Sequence, residues 1–91
     1  MPAPRQLDLV VTSRARRELQ ALPRPVLERV DAAIRTLAGD PRPPGSVKLK
    51  GLRHGYRLRV GDYRLLYEVD DQAGVVTVGH VGHRREVYRR R

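Results

Sequence analysis

The chain has no cysteine among its 91 residues, so disulfide bonds and thiolate metal sites are excluded. It has three histidines, His54, His80 and His83. They show no metal-ligand spacing with carboxylates, so we expect no metal and no other cofactor. The longest apolar runs, Leu7 to Val11 and Val75 to Val81, are shorter than the roughly 20 residues of a membrane helix. Met1 to Leu9 lacks an apolar segment of signal-peptide length, so we expect a cytoplasmic protein with no membrane partner.

Lysine is also scarce, although the chain is strongly basic. Only Lys48 and Lys50 are lysines among its 19 basic residues, and the formal net charge is +9. The planar fork of arginine suits phosphate and nucleobase contacts better than the point charge of lysine. A GC-rich genome would also favour arginine over lysine, but it does not explain the net charge. The charge therefore predicts a polyanionic partner.

The N-terminal part of the chain predicts a strand followed by a short helix. Alternating apolar residues favour a strand over Leu7 to Thr12. Ser13 is the expected N-cap of a helix that runs from Arg14 to about Leu22. Pro23 and Pro25 end this helix and suit the first turn of another one.

A second helix is predicted from this proline joint to about Ala38, where Gly39 fits a C-terminal cap. Its apolar residues recur at helical spacing: Val26, Val30, Ala33, Ile34 and Leu37. The next segment, Asp40 to Ser46 (DPRPPGS), is a loop within the same domain, because its prolines and glycine cannot continue a helix. The two helices are expected to form a helical hairpin.

The C-terminal half predicts three strands. Val47 to Leu52 (VKLKGL) alternates apolar and basic residues before them. The strands are Tyr56 to Val60, Tyr63 to Val69 and Val75 to Val81. Gly82 to Arg91 follows, with Arg89 to Arg91 as a basic tail. The order β-α-α-β-β-β predicts one α+β domain over residues 1–91, a small antiparallel sheet with the N-terminal helical hairpin packed on one face.

The Gly61-Asp62 pair between the first two of these strands is a strong β-hairpin signal. With Gly61 and Asp62 as the two loop residues, the register is set, so each residue of one strand has a defined partner on the other. Tyr56, Leu58 and Val60 then share one face with Tyr63, Leu65 and Tyr67, and the helices cover this face. The other face carries Arg57, Arg59, Arg64, Leu66 and Glu68.

Arg59 is predicted to lie directly opposite Arg64 on this second face, with Arg57 on the diagonal. Like charges in that position destabilise a sheet by up to roughly 1 kcal/mol. An anion bound between them would relieve the repulsion, whereas a solvated face whose side chains splay apart is the structural alternative. Further basic residues are expected on the same side: Lys48, Lys50, Arg53, Arg84 and Arg85.

The hairpin Tyr56 to Val69 (YRLRVGDYRLLYEV), followed by Val81 to Tyr88 (VGHRREVY), resembles the RelE/ParE superfamily of bacterial and archaeal toxins, most closely its RelE branch. The resemblance covers nearly the whole chain, including the LPRPV joint and the VKLKGL segment. It implies the toxin of a type II toxin–antitoxin pair, with a RelE-like fold. It also implies a ribosome-dependent mRNA endonuclease that cuts in the A site without a metal.

The resemblance also implies a set of site residues. The second-strand basic positions fall on Arg57 and Arg59, the third-strand arginine on Arg64 and the tyrosine on Tyr88. The C-terminal arginine falls on Arg84, with Arg85 as the alternative because the loop length differs here. Well-studied members of the family carry lysines at the second-strand positions, whereas this chain has arginines. Because arginine does not lose its proton in proteins, Arg57 and Arg59 can bind and stabilise but are poor acid–base groups.

Acid–base chemistry therefore has to come from other residues. Tyr88 is a candidate base if neighbouring arginines lower its pKa. Histidine is the side chain that ordinarily titrates near neutral pH, so His83 is our candidate for the acid–base function that relatives obtain from lysine. The structural alternative is that His83 caps the last strand or packs on Tyr88. The catalytic candidates are Arg59, Arg64, Arg84, Tyr88 and His83. The RNA-binding candidates are Lys48, Lys50, Arg53, Arg57 and Arg85.

The resemblance further implies a cognate acidic antitoxin, whose extended segment wraps the toxin. The net charge agrees with such a partner. Ribosome and mRNA are the other expected partners, and promoter DNA is expected only through the antitoxin complex. Two alternatives stay open: a ParE-like poison of DNA gyrase on the same fold, and a non-catalytic nucleic-acid-binding relative.

Overall fold

A computed structural model of the protein describes residues 6–83. Two helices and five strands follow one another in the chain: β1 (Asp8–Val11), α1 (Ser13–Gln20), α2 (Arg24–Thr36), β2 (Ser46–Lys48), β3 (Gly55–Val60), β4 (Tyr63–Asp70) and β5 (Val75–His83). The strands form one sheet in the order β1-β5-β4-β3-β2. This arrangement confirms the predicted α+β class.

The sheet is mixed rather than purely antiparallel, which corrects the sequence prediction. β1 runs parallel to β5, with Asp8 opposite Val75 and Val11 opposite Val78. A parallel pair needs a long connection, which the helices and three strands between β1 and β5 provide. The VKLKGL segment, for which no strand was predicted, contributes the short edge strand β2, paired with β3.

The helix ends differ slightly from the prediction. Thr12, not Ser13, is the N-cap of α1, and its Oγ1 accepts a hydrogen bond from the Ala15 N–H at 3.1 Å. The Thr12 N–H also donates to the carbonyl of Val78, which fixes the end of β1 and sets the start of the helix. α2 ends at Thr36, and Gly39 does not adopt the left-handed conformation expected of a C-terminal cap.

The core lies between the helices and one face of the sheet. The predicted apolar stripe of α2 packs there, with Val30 and Leu37 fully buried. The sheet contributes Leu58, Leu65, Tyr67, Val69, Val76, Val78 and Val81 to the same cluster. We call this side of the sheet the helix-side face.

The loop after α2 is tied to the helix-side face by Arg42. Its guanidinium forms a two-bond ion pair with Asp71, the shorter contact being 2.7 Å, and its Nε donates to the Tyr56 hydroxyl. This ion pair lowers the pKa of Asp71. The Tyr56 ring stacks on that of Tyr67. The Tyr67 hydroxyl donates a hydrogen bond to the Pro41 carbonyl, and burial raises the pKa of Tyr67. These tyrosines therefore pack, as predicted, rather than serve as free stacking platforms.

Candidate nucleic-acid interface

The β3–β4 hairpin has the register that the sequence predicted. Gly61 takes the positive φ of +60° that the tight turn requires, and Val60 lies opposite Tyr63. Arg59 lies directly opposite Arg64, and Arg57 lies opposite Leu66. The predicted clustering of the three arginines on one face of the sheet is confirmed.

We call this side of the sheet the arginine face. Its side chains form rows across the strands. The first row comprises Arg59, Arg64 and Gly82, and the second comprises Val47, Arg57, Leu66 and His80. The third row comprises Gly55, Glu68, Thr77 and Val10. The basic end of this face is therefore continuous with a more apolar region that contains one histidine.

The arginines differ in their surroundings. Arg59 is exposed, and its Nε donates to the Gly61 carbonyl at 3.0 Å, which turns the side chain toward the hairpin loop. Arg57 and Arg64 are half-buried and interact with other groups of the protein. Gly82 of β5 lies opposite Arg64 and is itself buried. Two arginines thus occupy opposite positions on neighbouring strands, and guanidinium groups are well suited to bind a phosphate.

A β-bulge determines which histidine lies on this face. Leu66 pairs with His80 but Tyr67 pairs with Val78, so Gly79 is an extra residue in β5. Because a bulge reverses the alternation of side chains, His80 joins the arginine face and Val81 returns to the core. His80 was not among the site residues predicted from the sequence. The glycine before it in an apolar strand was the available signal, since glycine inside a strand often marks a bulge.

His80 is held by a carboxylate from α1. Glu18 lies within 2.8 Å of the His80 Nδ1 and accepts a hydrogen bond from the Val81 N–H at 2.8 Å. This contact covers the part of the β5 edge that extends beyond β1. Burial alone would raise the pKa of Glu18, but the Val81 N–H, His80 and Arg14 together lower it. The imidazole is therefore fixed in orientation and is only 12% exposed.

Two candidates from the sequence lie on the other side of the sheet. Lys48 pairs with Tyr56, and its ammonium lies 5.3 Å from the centre of that ring, so the expectation that it adds to the arginine side is wrong. His83 pairs with Tyr63, with their ring centres 5.5 Å apart in an edge-to-face arrangement. The register thus separates His83 from Arg64, and its catalytic role stays a prediction.

The remaining candidates lie near the interface or outside the described part of the chain. Lys50 and Arg53 are exposed in the connection between β2 and β3, where the Lys48 ammonium donates to the Arg53 carbonyl. Arg84, Arg85 and Tyr88, together with the basic tail, lie outside residues 6–83. The roles predicted for these residues rest on the resemblance to the family.

Comparison with known proteins identifies relatives over most of the chain. The family model of the ParE toxin of the type II toxin–antitoxin system parDE matches residues 9–88. Toxin RelG of Mycobacterium tuberculosis is 38% identical over 80 residues, which are 87% of this chain and 92% of that protein.

Solved structures agree with this match. A chain of the RelBE2 toxin–antitoxin complex of Mycobacterium tuberculosis is 31% identical with a TM-score of 0.76, over 86% of this chain and 91% of that one. A chain of the intact E. coli RelBE toxin–antitoxin complex is 30% identical with a TM-score of 0.75, over 85% and 95% respectively.

The domain therefore has the α+β fold of RelE toxins. The chain belongs to the RelE/ParE superfamily of toxins of type II toxin–antitoxin systems, as its sequence motifs predicted. In the part of the chain that the structure describes, no helix is long and apolar enough to cross a membrane.

Proposed function

We propose that the protein is a ribosome-dependent mRNA endonuclease that inhibits translation by cutting mRNA in the A site. The observation that carries the proposal is the direct opposition of Arg59 and Arg64, with Arg57 beside them. Like charges held together gain no stability from one another, so a bound polyanion accounts for the arrangement better than stability does. The similarity to Toxin RelG and to the RelBE chains supports the same branch of the family.

The reaction requires no nucleophile from the protein. The RNA 2′-hydroxyl attacks the adjacent phosphorus in line, and the bond to the 5′-oxygen breaks, which leaves a cyclic 2′,3′-phosphate and a 5′-hydroxyl. Arg59 and Arg64 supply permanent positive charge for the phosphate, together with Arg84 from the C-terminal motif. Tyr88 is the proposed base that takes the proton of the 2′-hydroxyl, since the arginines cannot accept it, and the departing 5′-oxygen takes up a proton from water.

We further propose a cognate acidic antitoxin as the cytoplasmic partner of this toxin. Related chains were solved in RelBE toxin–antitoxin complexes, and the net charge of +9 favours an acidic segment. Charge attraction accelerates such an association and weakens with salt. Promoter DNA would then be bound only through the antitoxin part of the complex.

A second candidate function is the poisoning of DNA gyrase. The specific observation in its favour is that the matching family model is that of the ParE toxin. A relative that binds nucleic acid without cleaving it is the third reading. Such a protein would bind nucleic acid through the arginine face and would not need a proton-transfer group.

Primer extension on mRNA with and without ribosomes, run beside a gyrase supercoiling assay, separates the three functions. We expect new 3′ ends only when ribosomes occupy the message, and unchanged supercoiling. Loss of supercoiling without cleavage would move the gyrase function ahead. Binding to mRNA or ribosomes with neither effect would favour the non-catalytic relative.

A further inference from the structure

A cavity lies on the arginine face directly beside the arginine rows. Its volume is about 280 Å³, at the lower end of small-molecule sites, which span about 300–1,000 Å³. Leucine side chains from the β2–β3 connection and from β4 form its apolar walls: Leu49, Leu52 and Leu66. Glu68, Thr77 and His80 contribute polar groups, and Gly79 of the bulge completes this part of the lining.

One wall of the cavity is formed by His80, whose ring is held in place by a carboxylate. Glu18 engages the Nδ1 of His80. The opposite ring nitrogen, Nε2, has less than 1 Å² of accessible surface, so it is screened from the open cavity. His80 therefore serves as an oriented wall, and Glu68 and Thr77 supply the polar contacts.

The position of the cavity relates it to the arginines. Leu66 and His80 share the row of Arg57, and Glu68 and Thr77 form the next row. Rows on one face are two residues apart along a strand, which is about 7 Å. That spacing corresponds to the reach from a phosphate to the base of the same nucleotide.

We propose that this cavity is a nucleobase subsite, which receives one base of the RNA strand whose phosphates lie against the arginines. The inference rests on the proposed nuclease function and extends it to sequence preference. Apolar walls with a few polar groups suit a flat heterocycle. An aliphatic side chain of a protein partner would leave the polar groups of Glu68 and Thr77 without hydrogen bonds to the ligand.

The chemistry of the lining also predicts which bases fit. The carboxylate of Glu68 only accepts hydrogen bonds, so it favours bases that present an amino group. Cytosine, adenine and guanine each carry an exocyclic amino group, whereas uracil has none. The subsite therefore selects against uracil at one position of the codon.

Two variants test the subsite. Glu68→Gln keeps the shape of an exposed side chain but lets it donate as well as accept. Gly79→Leu adds a large apolar side chain at a residue that lines the cavity, and the fold can accommodate it because a Cβ at Gly79 meets no other atom within 4 Å. Val10→Leu is the matched control, since it adds bulk on the same face at a residue that does not line the cavity.

The experiment measures single-turnover cleavage on programmed ribosomes, with each A-site codon position varied through all four bases. We expect wild type and Val10→Leu to disfavour uracil at one position. Glu68→Gln should reduce that preference about tenfold, in line with a single base contact. Gly79→Leu should abolish it.

Other outcomes overturn the subsite in distinguishable ways. If wild type cleaves but shows no preference, or if both variants keep it, the subsite is wrong and the nuclease stands. Binding of the purified antitoxin is measured in parallel, and weakened binding with unchanged preference would assign the cavity to the antitoxin. If wild type cleaves nothing on ribosomes, the nuclease function fails and the subsite fails with it.

Discussion

Arg59 and Arg64 face each other directly across the β3–β4 hairpin, on the side of the sheet that the helices leave uncovered. Cross-strand pairs of like charge destabilise a sheet by up to about 1 kcal/mol. Repulsion between the two guanidinium groups gains the fold nothing, so we explain the pair by a role in binding or catalysis. Because Arg64 is half-buried and interacts with other groups, we expect stability and activity to respond in opposite directions at the exposed Arg59.

The first prediction concerns Arg59→Gln. The change removes one of the two facing charges and leaves a side chain of similar length. We expect stability to stay equal or to rise by a few tenths of a kcal/mol, up to about 1 kcal/mol. Ribosome-dependent cleavage should fall at the same time. Urea unfolding and primer extension on the same preparation measure both effects.

The control for this prediction is Arg29→Gln, which removes an exposed charge from α2 on the other side of the molecule. It should change neither property appreciably. A loss of stability in Arg59→Gln, with cleavage intact, would assign Arg59 a purely structural role.

The second prediction concerns the salt dependence of RNA binding by Arg57→Ala. If Arg57 contacts a phosphate, its removal should weaken binding and reduce the slope of log K against log salt by about 1. Fluorescence anisotropy with a labelled single-stranded RNA over a potassium chloride series measures the slope. An unchanged slope would show that Arg57 does not contact phosphate.

Local patterns predicted the hairpin because its register depends on two adjacent residues. The Gly61-Asp62 turn fixes every pair back to Tyr56 and Tyr67. The arginine face follows directly from that register, so its three arginines could be read from the sequence.

Non-local pairing was not predictable in the same way. The parallel contact between β1 and β5 joins segments that are far apart in the chain, and no turn specifies it. The bulge at Gly79 lies in the β4–β5 pairing, and it exchanges the faces that strict alternation would give to His80 and His83. The wrong placement of Lys48 likewise came from extending the basic face into β2 without its register.

The third prediction is a pH effect on stability through Glu18. The pKa of Glu18 in the folded protein lies below the ordinary value of 4.5. The stabilisation that the ionised carboxylate contributes to the fold is therefore fully present above pH 4.5 and is lost as the pH falls through the lowered pKa. Glu18→Gln should therefore show a smaller loss of stability on acidification than wild type does. Urea unfolding from about pH 7 to about pH 3 measures the difference.

Glu28→Gln is the control for this effect, because Glu28 lies on the exposed side of α2 with a side chain that is 70% exposed. Its pH profile should follow that of wild type. If Glu18→Gln and wild type lose stability in parallel on acidification, the contact of Glu18 with Val81 and His80 does not stabilise the fold.

The fourth prediction concerns His83. Because His83 contacts Tyr63 on the helix-side face, we expect His83→Ala to keep the ionisations of the cleavage-rate profile. The measurement is single-turnover cleavage on ribosomes across neutral pH. Disappearance of an ionisation near pH 6–7, about the ordinary pKa of histidine, would establish the acid–base role predicted from the sequence.

The central claim is that the arginine face cleaves RNA on the ribosome, and Arg64→Ala tests it most directly. The single measurement is the rate of ribosome-dependent mRNA cleavage by wild type, Arg64→Ala and the helix-layer control Arg29→Ala, each shown to be folded by its unfolding transition. A donor aimed at developing charge contributes roughly 3–4 kcal/mol, so Arg64→Ala should be slower by about 10²–10³. Arg29→Ala should cleave like wild type. Cleavage by Arg64→Ala at close to the wild-type rate would contradict the assignment of the nuclease to this face.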